Sequence, residues 1–532
     1  MLLLPAGWLS RDGCRAGRLS RVHVYPLPSM PVPDSHDLTP AQRRAAAAVL
    51  RQAFAPVAGL GDLFARHGHQ LAVVGGTVRD VLLGRSQRAD LDLATDARPE
   101  QVLQLVAGWA DKVWETGISF GTVGIRKGGT TCEITTYRSE RYQPGSRKPA
   151  VAYGTSLTGD LSRRDFTVNA MAARLPGFEL VDPFGGVADL AGKLLRTPGA
   201  AADSFSDDPL RMLRAARFSA QLGFTVAPEA RAAMTALAGQ LAMVSAERIK
   251  DELIKLMLAP GPDGPVRGIT LLVDTGVADQ VLPEVPSLRL EADEHFRHKD
   301  VYQHSLTVLA QAIELEPRYG LEPDLVVRLA ALLHDIGKPK TRRRLPDGRV
   351  AFHHHETAGR AIVRARLGKL RFPAAVVNDV ATLVGLHLRF HGYNEGGWTD
   401  AAVRRYVRDA GPLLTRLHVL TRADCTTRNK QKAQRLARAY DNLERRIAEL
   451  AEQEELGKIR PDLNGDQIMD ILGLPPGPVI GRARQHLLEL RLDQGPLGTE
   501  RAIQELRRWA VEEGLAGPED GGASGSGPAR SS

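Results

Sequence analysis

Two adjacent glycines between an apolar run and a helix-compatible run, Val73-Val74-Gly75-Gly76-Thr77-Val78-Arg79-Asp80, restrict the local fold more than any other stretch of the chain. The apolar residues Leu71 to Val74 predict a buried strand, and the glycines let the backbone turn tightly into a helix beginning near Thr77. Such a helix start attracts phosphate, because its unpaired N–H groups lie at the positive end of the dipole. Arg79 adds a charge there. Thirteen residues separate Gly76 from Asp90-Leu91-Asp92. On a strand running from Ala89 to Ala94 the two aspartates point the same way. Two parallel carboxylates repel unless a cation joins them, and hard oxygen ligands beside a phosphate site suit Mg²⁺. A pair of such ions activates an attacking hydroxyl and stabilises a leaving pyrophosphate, which is the chemistry of nucleotidyl transfer. Taken singly, a Gly-Gly turn is usually only a turn and an Asp-x-Asp strand often a solvated edge. Their combination in one strand-turn-helix-strand unit resembles the nucleotidyltransferase signature of the DNA polymerase β superfamily.

At 532 residues the chain exceeds what one core can organise, and roughly three or four compact units are expected. Few aromatic residues and many Ala, Leu, Arg and Glu favour helices over most of the length. A formal charge of +8 permits a polyanionic partner. Cys14, Cys132 and Cys425 have no ligand spacing and form no disulfide framework, which suits a reducing cytoplasm. Residues 1–36 open with Met1-Leu2-Leu3-Leu4 but continue through Pro5, Trp8 and several arginines. They predict a disordered extension rather than a signal peptide, with Met30 as an alternative start. Thr39-Pro40 reads as an N-cap and first helical residue. The Gly-, Ser- and Pro-rich end from Gly517 predicts a flexible tail. No apolar run approaches the roughly 20 residues of a membrane span, so no membrane partner is expected.

Periodicity predicts helices at 41–68 and 99–110 and strands at 112–117, 120–126 and 131–137 completing a small sheet. Glu133, on the last of these strands, reads either as a third carboxylate for the metal site or as an ordinary strand-face glutamate. From Asp207 to about Leu515 the pattern is helical, with hinges at Pro260 to Pro265 and at Pro283 to Leu290.

Two further motifs narrow the reaction. Arg163-Arg164-Asp165-Phe166-Thr167-Val168-Asn169-Ala170 places two cations before a helix-compatible run that Asp165 is positioned to cap, a segment suited to a triphosphate and a ribose hydroxyl. Asp207-Asp208-Pro209-Leu210-Arg211 opens a helix carrying Arg211, Arg214 and Arg217 at intervals of three on one side, facing water, with Leu210, Leu213 and Phe218 on the packed side. Asp208 offers an acceptor and Arg211 a pair of donors, which together match a Watson–Crick edge. The charged helix Glu247-Arg248-Ile249-Lys250-Asp251-Glu252-Leu253 carries no message by itself.

Taken in order, these motifs resemble the bacterial class II tRNA nucleotidyltransferases, the family of CCA-adding enzymes and their poly(A) polymerase relatives, over residues 55–290. The resemblance implies that Gly76 and Arg79 bind the nucleotide, that Asp90 and Asp92 hold Mg²⁺, and that Arg164 touches the triphosphate or sugar. It also implies that Asp208 and Arg211 act as an amino-acid template for CTP and then ATP, with Arg214 and Arg217 nearby. The family often has Glu where this chain has Asp207, which leaves the base-reading position at Asp208 unaffected.

His304, the pair His334-Asp335 closing the apolar helix Leu329 to Leu333, and Asp424 follow in an order that resembles the HD phosphohydrolase superfamily. An adjacent His and Asp are expensive to bury without a partner, and imidazole with carboxylate suits a divalent transition metal. His353, His354, His355, His387 and His391 lie between them as candidate ligands for a second ion. A last helix with Lys430, Lys432, Arg435, Arg438, Arg445 and Arg446 is either a solvated face or a grip for RNA phosphates.

The expected fold is α+β: a small mixed-sheet, polymerase β-like head at 37–195 followed by helical parts. These are a neck at 196–290, an HD domain at 291–427 and an RNA-binding body at 428–515, with disordered ends at 1–36 and 516–532. The expected function is template-independent addition and repair of the tRNA 3′ CCA from CTP and ATP in the cytoplasm, with a second, HD phosphohydrolase activity. The alternatives are a poly(A) polymerase, an HD phosphohydrolase with a nucleotide-sensing head, and an RNA-binding scaffold.

Overall fold

A computed structural model describes residues 39–85, 90–141, 150–290, 300–347, 350–390, 398–426, 429–454 and 459–515. The expected disorder at 1–36 and 516–532 and the candidate ligand His391 lie outside these residues. The chain is α+β and divides into two compact units, Met1–Ala200 and Ala201–Ser532.

The first unit opens with helix α1 (Pro40–Ala53), whose capping box at Thr39 and Gln42 agrees with the Thr39-Pro40 signal. The single helix expected at 41–68 is two, because Pro56 falls in a 3-10 turn at Ala55–Val57 before α2 (Ala58–Arg66). There follow β1 (Leu71–Val74), α3 (Gly76–Leu82), β2 (Asp90–Thr95), α4 (Pro99–Val106), β3 (Lys112–Trp114), β4 (Thr122–Lys127) and β5 (Thr130–Thr136). A small hairpin, β6 (Arg138–Arg141) and β7 (Ala150–Tyr153), precedes α5 (Leu157–Ser162), β8 (Ala172–Leu175), β9 (Glu179–Val181) and α6 (Gly186–Ala191). The sheet has seven strands in the order β3-β4-β5-β2-β1-β8-β9. All neighbours are antiparallel except β2 and β5, which pair in parallel with Asp92 beside Glu133.

One face of this sheet is buried along its length by Leu71, Val73, Leu91, Leu93, Val123, Ile125, Cys132 and Ile134. The other face is divided. At the β1–β8 end, Ala72, Ala94 and Ala172 are small enough for Leu157 and Leu161 of α5 to pack against them, with Tyr137 and Val74 filling the rest. At the β2–β5–β4–β3 end the same face is open, and Asp90, Asp92 and Glu133 are exposed there. Burial at one end and openness at the other place the carboxylates at the border of a core.

The second unit is helical. It begins with α7 (Ala201–Asp207), α8 (Leu210–Leu222), α9 (Pro228–Leu237), α10 (Ala246–Met257) and α11 (Asp263–Asp274), with α8 packed against both α10 and α11. After α12 (Val277–Val281) and α13 (Glu284–Ser287) come α14 (Val301–Leu315), α15 (Leu325–Leu333), α16 (Lys338–Thr341), α17 (His355–Lys369), α18 (Ala374–Leu386), α19 (Asp400–Ala410) and α20 (Leu414–Ala423). Arg328 on α15 is fully buried. It forms a two-pronged pair with Glu316 at 2.8 and 2.7 Å and donates to the carbonyls of Met257 and Ala259 at 2.8 and 2.9 Å, fastening the end of α10 to α15. The long helix α21 (Lys430–Glu454) leads to α22 (Gly465–Leu472), α23 (Pro478–Gln494) and α24 (Thr499–Glu512), which share a core around Leu463, Ile468, Leu487, Leu506 and Trp509. Among the described residues no helix is long and apolar enough to cross a membrane.

Candidate functional site

In the first unit, Gly75 adopts φ +77°, and a Cβ there would lie 2.6 Å from Arg164 Nη1. The backbone calls for glycine, and the guanidinium rests in the space a side chain would take. Arg79 points inward: buried, it donates to Asp80 Oδ1 at 2.9 Å and to Asn169 Oδ1 at 2.5 Å. Asn169 donates in turn to Asp165 Oδ1 at 2.9 Å, and Asp165 accepts the Phe166 N–H at 2.8 Å. Arg79 thus ties the glycine turn to the second cationic motif. The helix expected after Arg163-Arg164 is one 3-10 turn, Thr167–Asn169, before β8, since Asp165 spends its carboxylate on that network.

Arg164 pairs with Asp160 at 3.2 Å, while its Nε is buried with no hydrogen-bond partner among the described residues. Solvent reaches Asp92, yet the surrounding protein raises its pKa by desolvation. The Arg164 charge opposes that rise and the Asp90 charge adds to it. Two adjacent carboxylates, one of them reluctant to ionise, beside an arginine donor left over for an anion fit a divalent cation carrying a polyphosphate. Glu133 stands next to Asp92 on the same face. Cys132, on the opposite face, is buried and its thiol is pushed up to about 12, so it serves packing.

In the second unit, Asp208 accepts the Leu210 N–H at 3.2 Å with one oxygen and receives Arg248 Nη2 at 2.9 Å on the other. Arg211 donates to Ser204 Oγ at 2.7 Å. The expectation that Arg211, Arg214 and Arg217 all face water is corrected. Arg217 is buried, lies 2.5 Å from Glu252 Oε2 and covers the Phe218 ring at 3.9 Å, and Arg214 reaches the other Glu252 oxygen at 3.7 Å. Steps of three residues drift around a helix, and α10 covers the side into which this row turns. Sequence reasoning missed Arg248 and Glu252. Their spacing of one turn on an amphipathic helix was visible, but not that it matches Asp208, just before α8, and Arg217 on α8.

The HD residues meet as the sequence order implies. His304 Nε2 lies 2.9 Å from Asp424 Oδ1 and 3.2 Å from His334 Nε2, which is 3.2 Å from Asp335 Oδ2. The other Asp335 oxygen faces His355 Nε2 at 3.3 Å and His387 Nε2 at 4.0 Å. His334, His355 and His387 each donate Nδ1–H to the carbonyl three residues earlier, at 2.7 to 2.9 Å. That tautomer turns the Nε2 lone pairs inward, where those of His355 and His387 confront each other at 3.3 Å. Facing lone pairs repel unless a cation lies between them, so the donors fit metal ions in two groups, with Asp335 common to both. Burial pulls His334 down, but the Asp335 and Asp424 charges outweigh it and push the residue up to about 9. The same two carboxylates favour any cation at that point, a metal ion included. Burial, with the charge on His334, pulls His387 down to about 3. His353 and His354, also candidates, are exposed.

A glycine turn bound to an arginine beside paired strand aspartates defines a nucleotidyltransferase head, here joined to a separate HD centre. Three families match: the Poly A polymerase head domain over residues 71–196, the probable RNA- and SrmB-binding site of polymerase A over 223–288, and the HD domain over 301–429. The A-adding tRNA nucleotidyltransferase of Deinococcus radiodurans is 38% identical over 366 residues, covering 67% of this chain and 80% of that protein. The CCA-adding enzyme of Lactobacillus johnsonii is 40% identical over 215 residues, 40% of this chain and 52% of that enzyme, about half its length. The structure of the Bacillus stearothermophilus CCA-adding enzyme in complex with CTP superposes with a TM-score of 0.60 and 26% identity, covering 87% of this chain and 99% of that one. The chain belongs to the tRNA nucleotidyltransferase family.

Proposed function

We propose that the protein adds and repairs the 3′-terminal CCA of tRNA, using CTP and ATP without a nucleic-acid template and releasing pyrophosphate. The observation that carries this reading is the pair Asp90 and Asp92 on an open sheet face, with Arg164 held against the Gly75 turn. In this reading Arg164 binds the triphosphate, and Arg79 holds Gly76 and the turn in place. Asp90 and Asp92 carry Mg²⁺, with Glu133 beside them. When bound, Mg²⁺ lowers the pKa of the attacking 3′ hydroxyl and neutralises charge on the leaving pyrophosphate. Asp208 and Arg211 read the base edge. Arg248 orients Asp208, and Glu252 fixes Arg214 and Arg217 behind it.

The HD residues carry a second activity, hydrolysis of a phosphoester such as a 2′,3′-cyclic phosphate, with a divalent transition metal at His304, His334, Asp335 and Asp424. The cytoplasm is the compartment that suits this chemistry, and the described cysteines, Cys132 and Cys425, are free thiols.

The test supplies purified protein with tRNA lacking CCA, tRNA ending in CC, and each nucleotide separately. Two additions from CTP followed by one from ATP are expected. ATP polymerisation on unrelated RNA would identify a poly(A) polymerase instead. The name of the Deinococcus radiodurans relative favours a second reading, addition of the terminal A alone, and activity confined to the CC-ending tRNA would establish it.

A further inference from the structure

The open part of the head sheet continues past the carboxylates. In register, Asp92 lies beside Glu133, Glu133 beside Gly124, and Gly124 beside Trp114; the next row runs Asp90, Thr131, Arg126, Lys112. Cross-strand neighbours project from the same face, so Trp114, Arg126 and Lys112 share the face of Asp90 and Asp92. Three strand spacings separate Trp114 from the Asp92 strand, roughly 14 Å, a span of a few nucleotides.

Gly124 shapes this ledge. A Cβ there would lie 2.0 Å from Cε2 and Nε1 of Trp114, so the indole occupies the space that any other residue would fill. The ring is braced against backbone on one side, yet Trp114 is only half-buried, while Arg126 and Lys112 are exposed. Nearby Lys127 is held by Asp111 at 3.1 Å, whereas among the described residues no carboxylate forms an ion pair with Arg126 or Lys112. A braced aromatic ring beside two uncompensated cations is the chemistry that grips single-stranded nucleic acid, by stacking on a base and meeting a neighbouring phosphate.

We propose that Trp114, Arg126 and Lys112 form a ledge for the single-stranded 3′ segment of the RNA substrate, with one base stacked on the indole. The inference rests on the transferase reading, which puts the RNA 3′ hydroxyl at Asp90 and Asp92 and its preceding nucleotides within reach of the ledge. The incoming nucleotide offers the same chemistry, a base with phosphates, and the test separates the two.

In the full chain, Trp114→Ala is expected to raise KM for tRNA ending in CC, whose 3′ end is single-stranded over several nucleotides, on the order of tenfold, with KM for ATP unchanged, and Trp114→Phe should restore most of the loss. The pair Arg126→Gln and Lys112→Gln, exposed and safe for folding, should lower the slope of log affinity against log salt by about 1.4 for tRNA. Removing the single-stranded 3′ end from the tRNA should abolish the difference between wild type and all variants. A change in nucleotide KM with tRNA KM constant would assign the ring to the incoming nucleotide and overturn the proposal. Unchanged constants in Trp114→Ala, or an unchanged salt slope in the charge pair, would reduce the ledge to edge packing. If wild type transfers nothing to any RNA, the transferase reading itself fails, an outcome distinct from active wild type with indifferent ledge variants.

Discussion

Asp92 and Asp208 carry different burdens, and their environments say how replacing each will differ. Asp92→Ala removes half of the carboxylate pair and is expected to abolish incorporation of both CTP and ATP, at least about 10²-fold in kcat, with tRNA binding retained. Asp208→Ala leaves that pair intact and should instead blur selection among CTP, ATP, UTP and GTP. Arg248→Ala, which frees the Asp208 carboxylate to rotate, should do the same more weakly. Competition between nucleotides in a single incorporation assay checks both. His418 reports on acid stability. It is buried and stacked on Tyr406 at 5.8 Å, and burial draws it down to about 4 against the opposing Glu444 charge. The unfolded chain therefore binds a proton that the folded one refuses between pH about 6.5 and 4. Its contribution is present above that window and is lost as pH falls through it, up to about 3 kcal/mol at the lower end. Urea unfolding across this range should show a shallower acid loss in His418→Phe; an identical pH profile would contradict the assignment. At this scale the sequence was most informative where chemistry forces adjacency, as at Asp90 and Asp92 or His334 and Asp335. It was silent on pairings such as Glu252 with Arg217, which depend on how two helices pack.

Arg328 shows how elements depend on a single buried charge. Its guanidinium meets both Glu316 oxygens and two carbonyls at the end of α10, so Arg328→Ala leaves a carboxylate and two acceptors stranded in the core. A loss of about 4 kcal/mol is expected in chemical unfolding. The double replacement Arg328→Met with Glu316→Leu should recover much of it, since the cost comes from the orphaned charge rather than from the missing pair. No recovery in the double variant would mean that the α10 carbonyls dominate. Among the elements, the alternation that opens Asp90 to Thr95 was legible because one face is buried there, and the apolar run of Leu71 to Val74 because both faces are. β8 and β9 were not read as strands. β8 has only four residues, Ala172–Leu175, directly after a cationic motif that looks helical, and the hydrogen bonds that make it a strand come from distant β1. The break between α1 and α2 was legible in principle from Pro56.

Over the whole molecule, the HD residues span His304 to Asp424, and their order made them candidates before any geometry did. The fold was needed to single out His355 and His387 from the four candidate histidines among the described residues, because helices α17 and α18 bring only these two of the four to Asp335. All of these residues lie in the second unit, while Asp90, Asp92 and Arg164 lie in the first. Each site completes its charge balance with its own neighbours, Asp92 with Asp90 and Arg164, His334 with Asp335 and Asp424. His334→Ala is therefore expected to lower the metal content of the purified protein and to eliminate hydrolysis of a 2′,3′-cyclic phosphate, because an opened ligand set misplaces the attacking water. CCA addition should persist within about twofold, as expected of a substitution whose charge partners, Asp335 and Asp424, are not those of Asp92. The replacement leaves Arg328 and Glu316 in place, so the fastening of α10 to α15, and with it the helix that orients Asp208, is preserved. Metal analysis, both activity assays and an unfolding curve on the same preparation decide the matter. If a folded, metal-depleted variant loses CCA addition in parallel with hydrolysis, the HD centre takes part in transfer and the two activities are not separable.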